Sequence, residues 1–449
     1  MSIKQSIFEV ITIESADRQR VVDITSGSVM IDYYEDVFSP TITAKIRVIN
    51  AGNTIVGPDS KDGQKQSLYD GLPLRGGERV SIKIAGNRNG NPGLDFSTDP
   101  KTHLYVSSIT DVISENNKES FTLNLVSREA ITNETSRVVK KYPATSSIDQ
   151  SVNLILNDVL KANKIGTIDQ TSNRYGFIGN LRKPFTVLTW LASKSVPYDS
   201  GSGNATAGFF FYQTKDGFQF RAIDNLSDKE KNKSKATYIY SEATESYDVD
   251  GNKPSNNNDF KILNYRTEKN QNLIEKLRLG TYASNRTFFD PLRHTISTPV
   301  YTPNSYQGKT KRLGKEENVS LPLVAEGSNQ TLADIPSRII TAIYDIGTLD
   351  PEVSTKLNSD QAEYQSQILM RYNTLFTQTL SVMIPSNTNL RAGDVIECLF
   401  PKIMRGDARE YDYDQKSGLY MIKEVCHHFD TRNSYTSLKL IRDTFGIRK

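Results

Sequence analysis

The chain has 449 residues, 37% hydrophobic and 24% charged, with 55 Lys and Arg against 52 Asp and Glu. That length exceeds one hydrophobic core, so two to four domains are expected, and the composition is that of a folded chain, not a disordered one. A net charge of +3 gives no global attraction to nucleic acid or an anionic membrane, and no apolar run approaches the ~20 residues that span a bilayer.

The N-terminus does not read as a signal peptide, because Lys4, Gln5 and Glu9 interrupt Ile3 to Ile13. The two cysteines, Cys398 and Cys426, fall in strand-like segments. Buried thiols in a protein assembled in the cytosol are expected there, not a disulfide.

Residues 1–130 read as a first β-module. Ile7, Val10 and Ile13 begin it, and Val21–Ile24 and Val29–Ile31 read as strands around Thr25-Ser26-Gly27-Ser28. From Thr41 to Val48, Ile42, Ala44, Ile46 and Val48 alternate with other residues, the period of a strand buried on one face. A polar loop, Gly52 to Asp70, precedes strands carrying Val80, Ile82 and Ile84, then Leu123 and Leu125. Asn116-Asn117 marks a hairpin reversal, and the Asn87–Gly93 stretch reads as an exposed turn.

Residues 131–259 change texture to an α+β insertion. Ile148, Val152, Ile155, Leu156 and Val159 recur at helical spacing, with Ser147 and Gln150 as a capping box. Pro184 suits the first position of a second helix, through Phe185, Leu188, Leu191 and Ala192. Asp216-Gly217 between Phe209–Tyr212 and Phe218–Phe220 is a strong hairpin signal. The charged run Asp228–Lys235 and the polar Ser246–Asp259 stretch read as solvated loops.

The second module is expected to be split, over 260–302 and 375–449. Leu263–Tyr282 and Asn285–Tyr301 read as strands returning the chain to a second barrel. Between the halves, 303–374 reads as a loop and helical insertion. It holds the basic loop Pro303–Asn318, a helix through Ile335, Ile339 and Ile343, and a helix over Asp360–Thr374 with Ile368, Leu369 and Tyr372 on its apolar side.

Three signatures recur in order in the two modules. Leu74-Arg75-Gly76-Gly77-Glu78 matches Leu390-Arg391-Ala392-Gly393-Asp394; Leu104-Tyr105-Val106 matches Leu419-Tyr420-Met421. Ser120-Phe121-Thr122, running to Arg128-Glu129, matches Ser434-Tyr435-Thr436, running to Arg442-Asp443. The glycines sit where a strand entry can need positive φ. Together they predict an internal duplication: a β-rich α+β fold with two similar small β-barrels and inserted helix-plus-hairpin domains.

Catalytic constellations are missing from this pattern. Of four histidines, His103 and His294 stand apart, and Cys426-His427-His428 cannot converge on a metal from one strand, because neighbours point to opposite faces. Asp407, Asp412 and Asp414 lack the glycine and terminal glutamate of a calcium loop. No acid pair stands out for glycoside hydrolysis, and no nucleophile elbow or dinucleotide loop occurs. Gly86–Gly90 is glycine-rich, but no helix follows to cradle phosphate. Trp190 and most tyrosines and phenylalanines are expected to pack cores, leaving stacking on carbohydrate or single strands as the lesser use. No catalytic, cofactor or metal residue is assigned.

The repeat, the helix-plus-hairpin unit at Ile148–Ile223 and the endings Ser120–Glu129 and Ser434–Asp443 resemble the central baseplate hub of contractile-tailed bacteriophages of the T-even type. The hub part of type VI secretion spike proteins is similar. The resemblance implies a non-enzymatic homotrimer whose barrels make a pseudo-hexameric, tube-type ring. Such a ring joins the tail tube to the central spike, meets baseplate wedge proteins, and passes DNA only as transiting cargo. It also implies a place in the virion baseplate after assembly in the host cytoplasm, and no cofactor. The chain ends at Lys449 with no β-helix, so a separate spike protein is expected. Gly52–Asp70 and Pro303–Asn318 are candidate partner-facing loops. A tail-associated peptidoglycan hydrolase and a carbohydrate-binding adhesin are the competing readings.

Overall fold

The computed structural model describes residues 4–50, 55–56, 65–72, 74–88, 90–115, 118–198, 206–240, 246–247, 254–255, 258–302, 310–315, 319–346, 358, 361–402 and 413–447. Strand accounts for 43% and helix for 16%, so the fold is β-rich.

The first module is built from β1 (Phe8–Glu14), β2 (Ser28–Asp36), β3 (Thr43–Asn50), β4 (Arg79–Ile84), β5 (Leu104–Glu115) and β6 (Lys118–Ser127). Its alternation is clean. Ala44, Ile46 and Val48 are buried while Lys45 and Arg47 are exposed, and Val80, Ile82 and Ile84 are buried around Ser81 and Lys83. The inward residues form one core with Ile11, Leu104, Val106, Phe121, Leu123 and Leu125. Lys118 pairs with Glu115 across the β5–β6 reversal, whose Asn116-Asn117 tip lies outside the described residues.

The insertion carries α1 (Ile148–Leu154), which continues as a π-helical turn over Ile155–Val159, α2 (Pro184–Ala192), and the hairpin β7 (Phe209–Thr214) and β8 (Gly217–Ala222). Pro184 stands at the start of α2, where its missing N–H costs nothing. The hairpin reverses at Lys215-Asp216, with Gly217 opening the return strand at φ 111°. The expected capping box does not form. Ser147 is the N-cap but makes no side-chain cap bond, and the Asp149 amide donates to Thr171 Oγ1 instead.

The second module uses β9 (Thr237–Tyr240) and β10 (Asn264–Asn270). A helix α3 (Leu273–Arg278) then leads to β11 (Ser284–Asp290), β12 (Thr295–Ser297), β13 (Val300–Tyr301) and β14 (Arg338–Ile343). The helix α4 (Gln361–Thr374) returns the chain to β15 (Gln378–Pro385), β16 (Val395–Leu399), β17 (Gly418–Asp430) and β18 (Ser434–Arg442). Its core joins Leu380, Val382, Ile396, Tyr420, Ile422, Leu438 and Leu440.

Two expectations here are corrected. Asn285–Tyr301 does not return to the barrel: β11 to β14 form a separate four-stranded sheet. Ile339 and Ile343 lie on strand β14, not on a helix. The i, i+4 isoleucines fit a helix, but β-branched Ile339, Ile340 and Thr341 in a row favour the extended chain.

The duplication is visible in hydrogen bonds. Gly77 N donates to Val106 O at 2.8 Å and Val106 N to Glu78 O at 2.9 Å. Gly393 N donates to Ile422 O and Ile422 N to Asp394 O, both at 2.8 Å. Each acid closes its own turn: Glu78 accepts from Arg75 N at 2.7 Å and Asp394 from Arg391 N at 2.9 Å. Gly77 and Gly393 sit at φ 91° and 87°.

The other two signatures slip by one residue. Leu104 and Val106 face the first core where Tyr420 and Ile422 face the second. Phe121 is buried, whereas Tyr435 is half-buried and Thr436 takes the inward place. Strand parity follows the leucines, not the tyrosines.

Candidate assembly interface

The residues with chemical promise do not converge. His427 is fully buried, with Nδ1 3.1 Å from Thr436 Oγ1 and Nε2 3.2 Å from Leu390 O. Desolvation drives its pKa down to about 3. His428 faces the other way, Nδ1 2.5 Å from Asp32. Burial opposes its charge, but Asp32 and Asp430 outweigh it and hold its pKa above the usual histidine value.

Cys426 shares the His428 side of the seam and is half-buried; Cys398 is wholly buried, and both are free thiols. Asp414 pairs only with Lys416 among the described charged groups, while Asp407 and Asp412 lie outside the described residues. His103 is enclosed near Ser81 and Ser97. His294 is an exposed residue at φ 53°.

Three expectations about loops and aromatics change. Trp190 is 38% exposed, not core: it packs edge-on against Tyr175 and Phe177 at the rim of a cavity of about 200 Å³. The Asn87–Gly93 turn is not free in solvent. Asn91 is buried, its Oδ1 accepting from the Thr388 amide at 2.9 Å, so it ties the first module to the second. The described part of the Pro303–Asn318 loop turns inward too. Arg312 and Leu313 are buried, and Leu313 N donates to Asp443 Oδ1 at 2.9 Å. In the Gly52–Asp70 loop, Ile55-Val56 pairs with Lys65-Gln66, and residues 57–64 lie outside the described residues.

What the structure does assemble is a seam between the modules. β17 pairs antiparallel with β2 from Glu424 opposite Asp36 to Asp430 opposite Met30. The result is one fifteen-stranded sheet, through which runs the order β10-β15-β18-β17-β2-β3-β6-β5. One face of it carries both cores; the other is polar by strand parity. On that face Lys439 pairs with Glu424 at 2.9 Å and Lys423 with Asp36 at 2.7 Å.

Behind the seam lies a buried acid that the sequence reading passed over. Glu35 is 1% exposed and accepts the Tyr33 hydroxyl and the Lys215 amide at 2.8 Å, and the Ala392 amide at 3.0 Å. Burial raises its pKa, and Arg391 at 3.8 Å works against that rise. It therefore links both modules and the insertion hairpin. The available signal was parity: Glu35 follows Ile31 and Tyr33 on the inward side.

A second buried cluster pins the end of the chain. Arg371 Nη1 lies 3.2 Å from Asp443, and Nη2 lies 2.9 Å from Asp224 and donates to Lys311 O at 3.1 Å. In sequence nothing distinguishes this arginine from a solvent-facing residue of α4.

Both ends of this run are unfinished. Beyond Val106, β5 pairs only with β6 among the described residues, and its Val112 and Ile113 stand 43% and 52% exposed. At the other end, β10 pairs only with β15 among the described residues.

No family model matches the chain. In sequence it is 20% identical, over 299 residues, to a probable baseplate hub protein, gp334, of Vibrio phage KVP40. The match covers 67% of this chain and 66% of that relative, so it spans about two thirds of each. Two solved structures share the fold along nearly the whole chain. The 43 kDa tail protein of prophage MuSo2 from Shewanella oneidensis has a TM-score of 0.52 at 9% identity, covering 97% of this chain and 98% of that one. A tail protein from Neisseria meningitidis MC58 has a TM-score of 0.51 at 9% identity, covering 97% and 96%. In fold the chain is like proteins of phage tails, and in sequence it is like a baseplate hub protein.

Proposed function

We propose that this chain is a structural subunit of a phage baseplate hub, a homotrimer that closes into a pseudo-hexameric ring. The ring joins a tail tube to a central spike, meets the surrounding wedge proteins and leaves a channel for DNA. The observation that carries the reading is the seam. Within one chain the distal half of β17 pairs with β2. Its repeat counterparts, the distal part of β5 and β10, end that eight-strand run and have no second neighbour among the described residues. Pairing β5 of one copy with β10 of the next repeats the same contact between chains. Repeated head to tail, such a contact generates a closed ring, and three copies give six modules.

The dimensions are consistent with a conduit. Three eight-stranded sheets at ~4.8 Å per strand make a circumference of about 115 Å, hence about 37 Å across. Side chains reaching about 5 Å inward, half the spacing of packed sheets, leave a bore of about 27 Å. The six barrels cannot fit inside such a ring, so the polar face looks inward. Its Lys439–Glu424 and Lys423–Asp36 pairs offset charge that would otherwise hold passing phosphates. Sheet pairing and passage need no catalysis.

Hydrogen exchange tests the seam. Amides of 108–115 and 264–268 are expected to exchange at least about tenfold more slowly in the assembled protein than in dilute monomer. Equal exchange in both states would sink this ring.

A further inference from the structure

The four-stranded sheet β11–β14 has two unlike faces. One packs on α4: Ser284 Oγ lies 3.2 Å from Ser366 Oγ, and Arg286 Nη1 donates to Gln365 at 2.6 Å. Register settles what lies opposite. Phe289 is paired with Ile296 on one side and Ile343 on the other, while Asn285 stands between Val300 and Ile339. These five apolar residues therefore share one face. Phe289 is 36% exposed, Val300 52%, Ile343 66%, Ile296 69% and Ile339 72%. Thr287 and Thr341 lie between its two ends, and the five residues expose on the order of 500 Å² of apolar surface, the size of a largest surface patch, which is often functional.

The place of this sheet in the repeat identifies its occupant. In the first module, β2 connects to β3 through the short stretch 37–42, and Phe38 in that turn packs against Phe210 and Phe376 at ring-centroid distances of 5.0 and 5.5 Å. The turn beside the intrachain seam thus packs across it, onto a residue that leads into β15. In the second module the corresponding connection, β10 to β15, is expanded to residues 271–377 and contains the apolar sheet. It follows directly on β10 in the chain, the strand left open for the next copy.

We propose that the Phe289–Ile343 face seats against the neighbouring copy of this chain, as the enlarged counterpart of the Phe38 contact. The inference rests on the ring reading above, because only there does β10 meet another copy. The contact is heterologous, as a cyclic trimer requires, so each copy uses the face once.

The test compares the full-length chain with Ile339→Lys/Ile343→Lys by light scattering over a concentration series, with Ile339→Val/Ile343→Val as the conservative control. Both positions are exposed in the single chain, and unchanged circular dichroism and melting confirm that the variants fold. We expect the lysine pair to raise the concentration at which the oligomer dissociates by at least about 100-fold, the penalty of burying two charges in an apolar contact, and the valine pair to leave it within about threefold. If the wild type is trimeric and the lysine pair dissociates at the same concentration, this face does not meet a neighbouring copy, whereas the ring stands. If the wild type is monomeric at every concentration, with a spike protein added as well, both the ring and this contact are wrong.

Discussion

Glu35, in a strand of the first module, accepts the amide of Ala392, 3.0 Å away in the turn that enters the second. The same carboxylate takes the Lys215 amide from the insertion hairpin. Three parts of the chain thus meet on one buried side chain, and their relative position is set by charge-assisted hydrogen bonds as well as apolar packing.

Glu35→Ala leaves the buried Ala392 amide, the half-buried Lys215 amide and the Tyr33 hydroxyl without this acceptor. Each orphaned group costs about 1–3 kcal/mol, so the variant is expected to lose at least about 3 kcal/mol. Urea unfolding measures it. A loss below about 1 kcal/mol would mean that water replaces the carboxylate and that the junction is looser than described.

His427 makes stability depend on pH with a definite sign. Its native ring stays neutral down to about pH 3, while in the unfolded chain it protonates near the ordinary value of about 6.5. Below pH 6.5 the unfolded state therefore binds the extra proton, and stability falls as pH drops from 6.5 toward 3, by up to about 1.4 kcal/mol per unit. His428 has the opposite sign. Its raised pKa contributes stability that is present below about 6.5 and lost as pH rises through the native value. Urea melts of His427→Gln between pH 7.5 and 5 should lose the first slope and keep the second. An unchanged acid slope would show that other groups carry it.

Arg371→Met tests the cluster at the chain's end. The substitution keeps most of the volume but removes the cation between Asp224 and Asp443, which are 4% and 0% exposed. Breaking a buried pair from one side costs about 3–5 kcal/mol. Arg371→Lys keeps the charge between the two carboxylates and should retain more of the stability than Arg371→Met, a contrast that equilibrium unfolding can read. No difference between the two variants would argue that volume matters here and charge does not.

The fold was legible where local chemistry and strand parity agreed. Gly77 and Gly393 hold positive φ for turns closed by Glu78 and Asp394, so Leu-Arg-x-Gly-acid survives as a structural repeat. Leu-Tyr does not, because Tyr420 faces inward while Tyr105 does not. Residue identity can match while the pleat is one residue out of phase. Ile339 and Ile343 misled for a related reason: spacing of four is shared by helix and by alternate positions of a strand, and β14's apolar residues face outward. The interface was least legible. Glu35, Arg371 and Asn91 acquire partners from segments far away in the chain, and composition carries no trace of such pairings. The open edges of β5 and β10 are properties of strand order, which only the folded sheet reveals.

The central claim is that two open edges of one chain close a ring of three. Multi-angle light scattering on the purified chain across a concentration series tests it most directly. The account predicts a species of about 151 kDa, three times the 50.4 kDa of one chain, persisting into the low micromolar range. A chain that stays at 50.4 kDa at every concentration, including with a spike protein added, would contradict it.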